Sequence, residues 1–189
     1  MLRVRVIRNR SYRRFQQNVA ISEATLRELV DLARLSGSGG NLQPLKYILS
    51  WTPEKNAAIF PATAWARYLN DWGGPKEGER PAAYIVILGD KEVSQSFMHD
   101  AGIAVQSMML GATEQGLGGC LIGSLDREAL RETLVLAERF EIVLVLALGK
   151  PAETVVVDPV GADGSIKYWR DERSVHHVPK RSLDDIIIS

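Results

Sequence analysis

Residues 100–123 read DAGIAVQSMMLGATEQGLGGCLIG, and this stretch decides the fold. Its first part has small or apolar residues on nearly every side, which predicts a helix that is buried all round. Running from about Ser94 to Gln115, the helix would be roughly 33 Å long, about the width of a small domain. Gly116 is a natural helix terminator, and a glycine-rich turn then leads into a short apolar segment that ends at Gly123.

The glycines of this stretch leave two interpretations open. Gly102 and Gly111 would let another helix or a planar ligand come close to the backbone. The turn at residues 116–119 would expose main-chain groups to the same ligand. The alternative is a plain core helix with an ordinary C-terminal cap, and this stretch alone does not exclude it.

Length and composition predict a single globular domain over residues 1–189. The chain is 46% hydrophobic and 24% charged, which is ordinary for an enzyme or a binding protein. Lys plus Arg and Asp plus Glu number 23 each, so no net charge would recruit nucleic acid or a membrane. No apolar run is long enough to span a bilayer. Cys120 is the single cysteine, which excludes an intrachain disulfide and fits a reducing cytoplasm.

The first 14 residues contain six arginines and no acid. A transit peptide has such a composition, but residues 3–6 alternate charged and apolar side chains as a β-strand does. Residues 10–14 read RSYRR and place a hydroxyl between guanidinium groups. Arginine side chains match phosphate oxygens, and Ser11 can donate a further hydrogen bond. The segment therefore predicts either a phosphate-binding arm or a solvated basic arm.

A glycine-rich loop, SGSGGNLQP at residues 36–44, follows the first predicted helix of the globular part. Ser22 caps that helix, whose apolar residues keep helical spacing as far as Leu35. The loop offers permissive backbone angles and amide side chains that can bind the edge of a heterocycle. A flexible linker is the alternative, but residues 45–51 read immediately afterwards as a β-strand.

The aromatic stretch at residues 60–81 contains four aromatic side chains with several prolines and glycines. This mixture predicts a loop or lid over a site, or else a hydrophobic flap over the core. Helices are predicted to begin at Pro53 and at Ser124 or Asp126. Further strands are predicted at residues 82–88, 142–148 and 154–157.

Two histidines and a second basic cluster stand near the C-terminal end. His176 and His177 are neighbours, and neighbouring residues of an extended chain point to opposite faces. No Cys or third His stands at ligand spacing, so the pair does not predict a metal site. Lys180 and Arg181 lie far in sequence from the arginines of the N-terminal arm.

Four segments in this order resemble the nitroreductase family of FMN-dependent NAD(P)H oxidoreductases. They are residues 10–15, 36–44, the central helix with 116–123, and 179–183, which read PKRSL. The resemblance covers essentially the whole chain and favours the ligand interpretation of the central stretch. It implies an α+β fold with a mostly antiparallel central sheet and helices on both sides. It also implies an intertwined homodimer with FMN at the interface.

The resemblance further implies which residues bind the cofactor. On the N-terminal arm, Arg10, Ser11 and Arg13 would contact the phosphate, the ribityl chain and the pyrimidine side of the flavin. Lys180 and Arg181 would hold the phosphate from the C-terminal end. The other implied residues belong to the partner's loop (Ser38, Gly39 and Asn41), to a polar position facing the ring (Asp100), and to the main chain near flavin N5 (Leu121, Ile122 and Gly123).

The implied reaction passes hydride from NADH or NADPH through flavin N5 to a nitroaromatic, quinone-like or other small conjugated acceptor. Because the cofactor makes and breaks the bonds, no catalytic side chain is predicted. Arg13 would stabilise negative charge on the reduced ring. Two alternatives stay open: a flavin enzyme of different chemistry, such as a dehalogenase or a flavin-fragmenting enzyme, and a flavin-binding module without turnover.

Four positions depart from the family pattern. Asn9 stands where many members have a further arginine, and Gly37 replaces a common proline. Leu45 replaces a common tryptophan. Gly123 stands where some members have glutamate, so only a main-chain role is predicted there. The sequence specifies neither the physiological acceptor nor the preferred nicotinamide.

Overall fold

The computed structural model describes residues 1–188, which contain five α-helices, two three-residue 3₁₀ helices and seven strands. The helices are α1 (Leu2–Arg8), α2 (Glu23–Arg34), α3 (Pro53–Ile59), α4 (Met98–Glu114) and α5 (Arg127–Leu134). The strands are β1 (Leu45–Ser50), β2 (Ala83–Asp90), β3 (Gly118–Ile122), β4 (Phe140–Gly149), β5 (Val155–Pro159), β6 (Trp169–Arg170) and β7 (His176–Lys180).

Strands β1 to β4 form a central sheet in the order β1-β2-β4-β3, and every neighbouring pair is antiparallel. Helices α2 and α4 cover one face, and α3 and α5 cover the other. Alternation along β2 explains both layers, since Ile85 and Ile87 point into the first core and Val86 points into the second. The structure therefore confirms the predicted α+β class, with a central antiparallel sheet between helices.

Helix α2 packs closely on α4 at Gly111. A Cβ atom built there would lie 3.1 Å from Leu29 and would collide with the end of the Leu32 side chain, so a larger residue would force Leu32 to move. The predicted cap also forms, because the Ser22 hydroxyl accepts a hydrogen bond from the Thr25 N–H at 3.1 Å. Gly111 therefore allows the close approach of another helix, not of a planar ligand.

Helix α4 differs from the prediction in two respects. It begins at Met98, not near Ser94, because Ser94 and Ser96 hydrogen-bond each other in a local turn that competes with the helix. It is also not buried all round. Gly102 and Ile103 are exposed, the latter at 47%, because no other element described in the chain covers that face.

The strand-like alternation of residues 3–6 was misleading. These residues form helix α1, none of whose residues is buried, and Arg5 forms an ion pair with Glu114 of α4. A lone strand would leave its N–H and C=O groups without partners, whereas a helix satisfies its own.

A second sheet contains β5, β7 and β6 in that order. Strand β5 runs parallel to β7, and the two-residue strand β6 runs antiparallel to it. The strand predicted at 154–157 is confirmed as β5, while β6 and β7 had no strand signal beyond an extended pair of histidines. None of the helices in residues 1–188 combines the length and apolar character needed to cross a bilayer.

Candidate functional site

A cleft of about 310 Å³ brings the two ends of the chain together. We call it the basic cleft, because Arg10, Arg13 and Lys180 line it and none of its described lining residues is acidic. Five of the predicted site residues meet here. The full lining comprises Asn9, Arg10, Ser11, Arg13, Gln106, Met109, Leu121, Tyr168, His176, Val178 and Lys180.

The N-terminal arm reaches this cleft because it lies along β3. The Tyr12 N–H donates to the Gly119 carbonyl at 2.9 Å, and Phe15 is completely buried at the end of the arm. Any side chain at Gly118 would collide with the Tyr12 ring. Gly118, after the central helix, thus makes room for the arm. From the sequence, the turn at residues 116–119 was predicted to face a planar ligand.

Glu153 fixes the direction of the arm. Its carboxylate is only 2% exposed and accepts hydrogen bonds from the backbone N–H groups of Arg13 and Arg14. The same carboxylate accepts a bond of 2.8 Å from the Arg170 guanidinium. The buried carboxylate of Glu153 therefore positions the backbone from which the Arg13 side chain enters the basic cleft. Sequence reasoning missed Glu153, which carries no local signal.

The two arginines of the cleft are held by different contacts. Arg10 donates to the Val6 carbonyl at 2.7 Å, and its Nε is buried with no partner among the described residues. Arg13 lies 4.6 Å above the ring of Tyr168, within the range of a cation–π contact. Its Nη1 is also 3.1 Å from Nε2 of His176.

The two histidines point to opposite faces of β7, as predicted. His176 is fully buried and lines the basic cleft, where burial and the nearby Arg13 and Arg170 lower its pKa to about 4. His177 faces away, stacks on Trp169 at 4.1 Å, and contacts Asp158 through Nδ1 at 2.7 Å.

The aromatic stretch 60–81 borders the basic cleft through Tyr168. The ring of Tyr68 packs against that of Tyr168 at 5.0 Å. The backbone N–H of Tyr68 donates to the hydroxyl of Tyr168 at 3.3 Å. Trp72 lies beneath the Arg170 guanidinium at 4.4 Å. Part of the stretch is therefore attached to one wall of the cleft.

Two predicted residues, Ser38 and Asp100, line a second cleft of about 220 Å³, which we call the loop cleft. The Ser38 hydroxyl donates to Asp100 Oδ2 at 2.5 Å, and the Gly39 N–H donates to Oδ1 at 3.0 Å. Asp100 is buried and uses both oxygens on this loop. Asn41 is exposed beside it, and its side chain accepts from Gln43 at 3.3 Å. The structure does not bring these four residues into the basic cleft.

Besides Gly39 and Asn41, three predicted residues line neither cleft. Ile122 is buried in the core beneath α5, and the carbonyl of Gly123 accepts from Arg127 at 3.3 Å. Arg181 lines a separate surface hollow with Asp158 and Asp185. Cys120 is also buried, and burial raises the pKa of its thiol, which agrees with the interpretation of a packed side chain.

A further cleft of about 420 Å³ contains none of the predicted residues. Its lining includes Trp51, Phe60 and Tyr84, with Arg80 as the one cation among the described lining residues. Arg80 already pairs with Glu77 at 2.8 Å and lies 4.3 Å above the ring of Phe60. This cleft therefore offers an anion less charge than the basic cleft does.

Comparison with known proteins identifies similar sequences. Residues 7–150 match the family model described as "Nitroreductase family". A Bacillus subtilis protein named as a candidate NAD(P)H nitroreductase, YodC, is 24% identical over 74% of this chain and 84% of the relative. A protein of Archaeoglobus fulgidus, named as a candidate NADH dehydrogenase or NAD(P)H nitroreductase, is 26% identical over 70% and 76% of the two chains.

Solved structures share the fold at low sequence identity. A nitroreductase family protein from Streptococcus pneumoniae has a TM-score of 0.72 and 17% identity, covering 100% of both chains. A candidate nitroreductase from Exiguobacterium sibiricum, solved in complex with FMN, has a TM-score of 0.66 and 20% identity. That match covers 81% of this chain and 89% of the other.

Proposed function

Because the chain belongs to the nitroreductase family, we propose that it is an FMN-dependent oxidoreductase that takes hydride from NADH or NADPH. Its acceptors would be nitroaromatic, quinone-like or other small conjugated molecules. The names of the two curated relatives support the electron donor. The FMN complex of the Exiguobacterium sibiricum protein supports the cofactor.

The convergence of cations in the basic cleft carries this proposal. Arg10 and Arg13 come from the start of the chain and Lys180 from its end, yet they line one cleft of about 310 Å³. A phosphate monoester bears nearly two negative charges at neutral pH, and a single exposed cation is screened by salt. Several converging cations with few competing acids suit such a group far better.

Two buried nitrogen atoms also fit FMN. Arg10 Nε and His176 Nδ1 are buried, and neither has a hydrogen-bond partner among the described residues. An unpaired buried polar group costs about 1–3 kcal/mol. FMN carries phosphate, hydroxyl and carbonyl oxygens that accept hydrogen bonds, so a bound FMN would satisfy such donors.

Different residues of the basic cleft would contact different parts of the cofactor. When bound, FMN supplies the ring atom that accepts hydride and passes it on. We assign Arg10 and Lys180 to the phosphate and Ser11 to the ribityl chain. We assign Arg13 to the pyrimidine side, where its charge would stabilise the negative charge that develops on reduction. The main chain at Leu121 would support the ring. No acid or base is required of the protein.

We also propose that the working unit is a homodimer. The loop residues Ser38, Gly39 and Asn41 lie outside the basic cleft of their own chain, which is expected if they complete the site of a second chain. The exposed face of α4, with Met98 and Ile103, would bury apolar surface in such a dimer. Asp100 would act by holding the loop. Linkage then requires FMN release and dimer dissociation to favour each other.

Reconstitution with FMN tests the proposal. Purified protein should turn yellow, and NADH or NADPH should bleach it under anaerobic conditions before a nitroaromatic or quinone restores the colour. A chain that takes up no FMN would overturn the proposal. Flavin that binds but is never reduced would favour the binding module, whereas reduction without turnover of any such acceptor would favour a flavin enzyme of different chemistry.

A further inference from the structure

The contact between Arg13 and His176 defines where the histidine carries its proton. Arg13 Nη1 lies 3.1 Å from His176 Nε2. A guanidinium group can only donate hydrogen bonds, so Nε2 must be the acceptor. A neutral imidazole that accepts through Nε2 carries its hydrogen on Nδ1. His176 is therefore an Nδ1–H donor.

The charges around His176 agree with a neutral ring. Its side chain is completely buried, and Arg13 and Arg170 are the nearby cations. Burial, together with these cations, lowers the pKa of His176 to about 4. At neutral pH the imidazole thus stays uncharged and keeps Nε2 free to accept.

The Nδ1–H group has no partner among residues 1–188, although it is buried. The ring lines the basic cleft and packs on the ring of Tyr168 at 5.2 Å, and the backbone N–H of His176 donates to the Thr154 carbonyl at 2.8 Å, which holds the strand that carries the ring. An unpaired donor on a ring of a cation-lined cleft is suited to bind an oxygen acceptor.

We propose that the Nδ1–H group of His176 donates a hydrogen bond to an oxygen atom of the cofactor bound in the basic cleft. This inference rests on the proposed function, and it adds a positioning contact that the sequence did not indicate. Arg13 strengthens the donor, because its hydrogen bond into Nε2 polarises the ring. The charge of Arg13 thereby influences the cofactor through the polarised, neutral side chain of His176.

Three substitutions separate the two ring nitrogens. His176→Gln can still accept from Arg13 near the Nε2 position but loses the Nδ1 donor. His176→Asn keeps a donor near the Nδ1 position, and His176→Phe removes both. We expect FMN affinity to fall about 10-fold in the Gln and Phe variants and to stay within about 3-fold of wild type in the Asn variant. Glu172→Ala, at an exposed side chain of the same C-terminal region, is the control.

Fluorescence titration with FMN and with riboflavin identifies the acceptor oxygen. If His176→Gln weakens FMN alone, the acceptor is a phosphate oxygen, and if it weakens both ligands, the acceptor lies on the ring or the ribityl chain. Either result supports the inference. Equal FMN affinity in wild type and all three variants would overturn it.

Nitrogen-15 NMR of labelled histidine tests the donor without any activity measurement. The wild-type protein should show a neutral His176 with its hydrogen on Nδ1, and FMN should shift that resonance. A hydrogen on Nε2, or a charged ring at neutral pH, would overturn the inference even if FMN binds. A wild-type protein that binds no FMN would instead overturn the proposed function and, with it, this role of His176.

Discussion

The central sheet and the C-terminal sheet are stabilised by different forces. In the central sheet, β2 is buried along its whole length and β4 along most of it, so the burial of apolar surface dominates. In the C-terminal sheet, every residue of β5 is exposed or half-buried. Charged side chains link its segments, with Glu153 bonded to Arg170 and His177 placed between Asp158 and Asp171.

The basic cleft lies where these two regions meet. The arm, α4 and β3 supply one wall, and Tyr168 with β7 supplies the other. Apolar burial responds little to pH or salt, whereas ion pairs respond to both. One wall of the basic cleft should therefore change with solution conditions while the other stays fixed.

Removal of the Glu153 carboxylate should have the largest effect, and that effect should fall on the C-terminal sheet. Glu153→Ala would leave the charge of Arg170 buried without its partner, because the side chain of Arg170 is only 12% exposed. Breaking such a pair costs about 3–5 kcal/mol. Hydrogen exchange should report this loss as faster exchange of the amides of β7.

An exposed acid and a distant strand provide the controls for Glu153→Ala. Glu172→Ala removes an exposed carboxylate of the same region and should leave exchange in β7 unchanged. The amides of β2 serve as the internal reference. Equal acceleration in β2 and β7 would show that the two sheets open as one unit, contrary to the comparison.

A matched pair of valines tests the apolar side of the comparison. Val145 of β4 is fully buried, and Val157 of β5 is 42% exposed. Val145→Ala should lower the free energy of unfolding by about 2–3 kcal/mol, since it removes buried methyl groups and leaves a cavity. Val157→Ala should cost about 0.5 kcal/mol. Urea denaturation measures both, and similar losses would contradict the assignment of different forces.

The sequence predicted the apolar region far better than the polar one. The strands at 82–88 and 142–148 and the cap at Ser22 were predicted correctly, and Asp126 is one of the two start positions predicted for α5. Burial and capping leave periodic or local signals. Strands β6 and β7 were not predicted. They depend on pairwise contacts between residues far apart in sequence, and such contacts leave no local pattern.

Part of the candidate site was predicted through the family resemblance. Arg10, Ser11, Arg13, Leu121 and Lys180 stand in recognisable segments, and the structure places all five in one cleft. The sequence did not predict a role in the site for Tyr168, Glu153 or His176. Whether a buried acid orients an arm, or a histidine accepts from an arginine, depends on three-dimensional packing alone.

Cations from both regions should contribute to FMN binding. Arg10→Ala, on the arm, and Lys180→Ala, on β7, should each weaken FMN roughly 10- to 100-fold, because charge-assisted hydrogen bonds contribute about 1.5–3 kcal/mol each. Added salt should weaken FMN binding to the wild type. Riboflavin, which lacks the phosphate, should bind almost equally to wild type and variants. If Arg10→Ala weakens both ligands equally, Arg10 supports the fold and not the phosphate.

The smallest expected effect is a dependence of the C-terminal sheet on pH through His177. This side chain connects three segments: it lies on β7, its Nδ1 is 2.7 Å from Asp158 of β5, and its Nε2 is 3.5 Å from Asp171 after β6. The hydrogen bond to Asp158, with the nearby carboxylate of Asp171, raises the pKa of His177 above its ordinary value of 6.5.

The sign of the pH effect follows from this raised pKa. The folded protein holds the His177 proton more tightly than the unfolded chain, so the stabilisation is fully present below pH 6.5 and is lost as pH rises through the folded pKa. Exchange of the β7 amides, corrected for the intrinsic effect of pH, should therefore indicate easier opening as pH rises through that window, while the β2 amides show no such trend. His177→Gln and Asp158→Asn should both flatten the trend. If the slope persists in His177→Gln, another group controls the C-terminal sheet, and the link between its charges and the cleft wall must lie elsewhere.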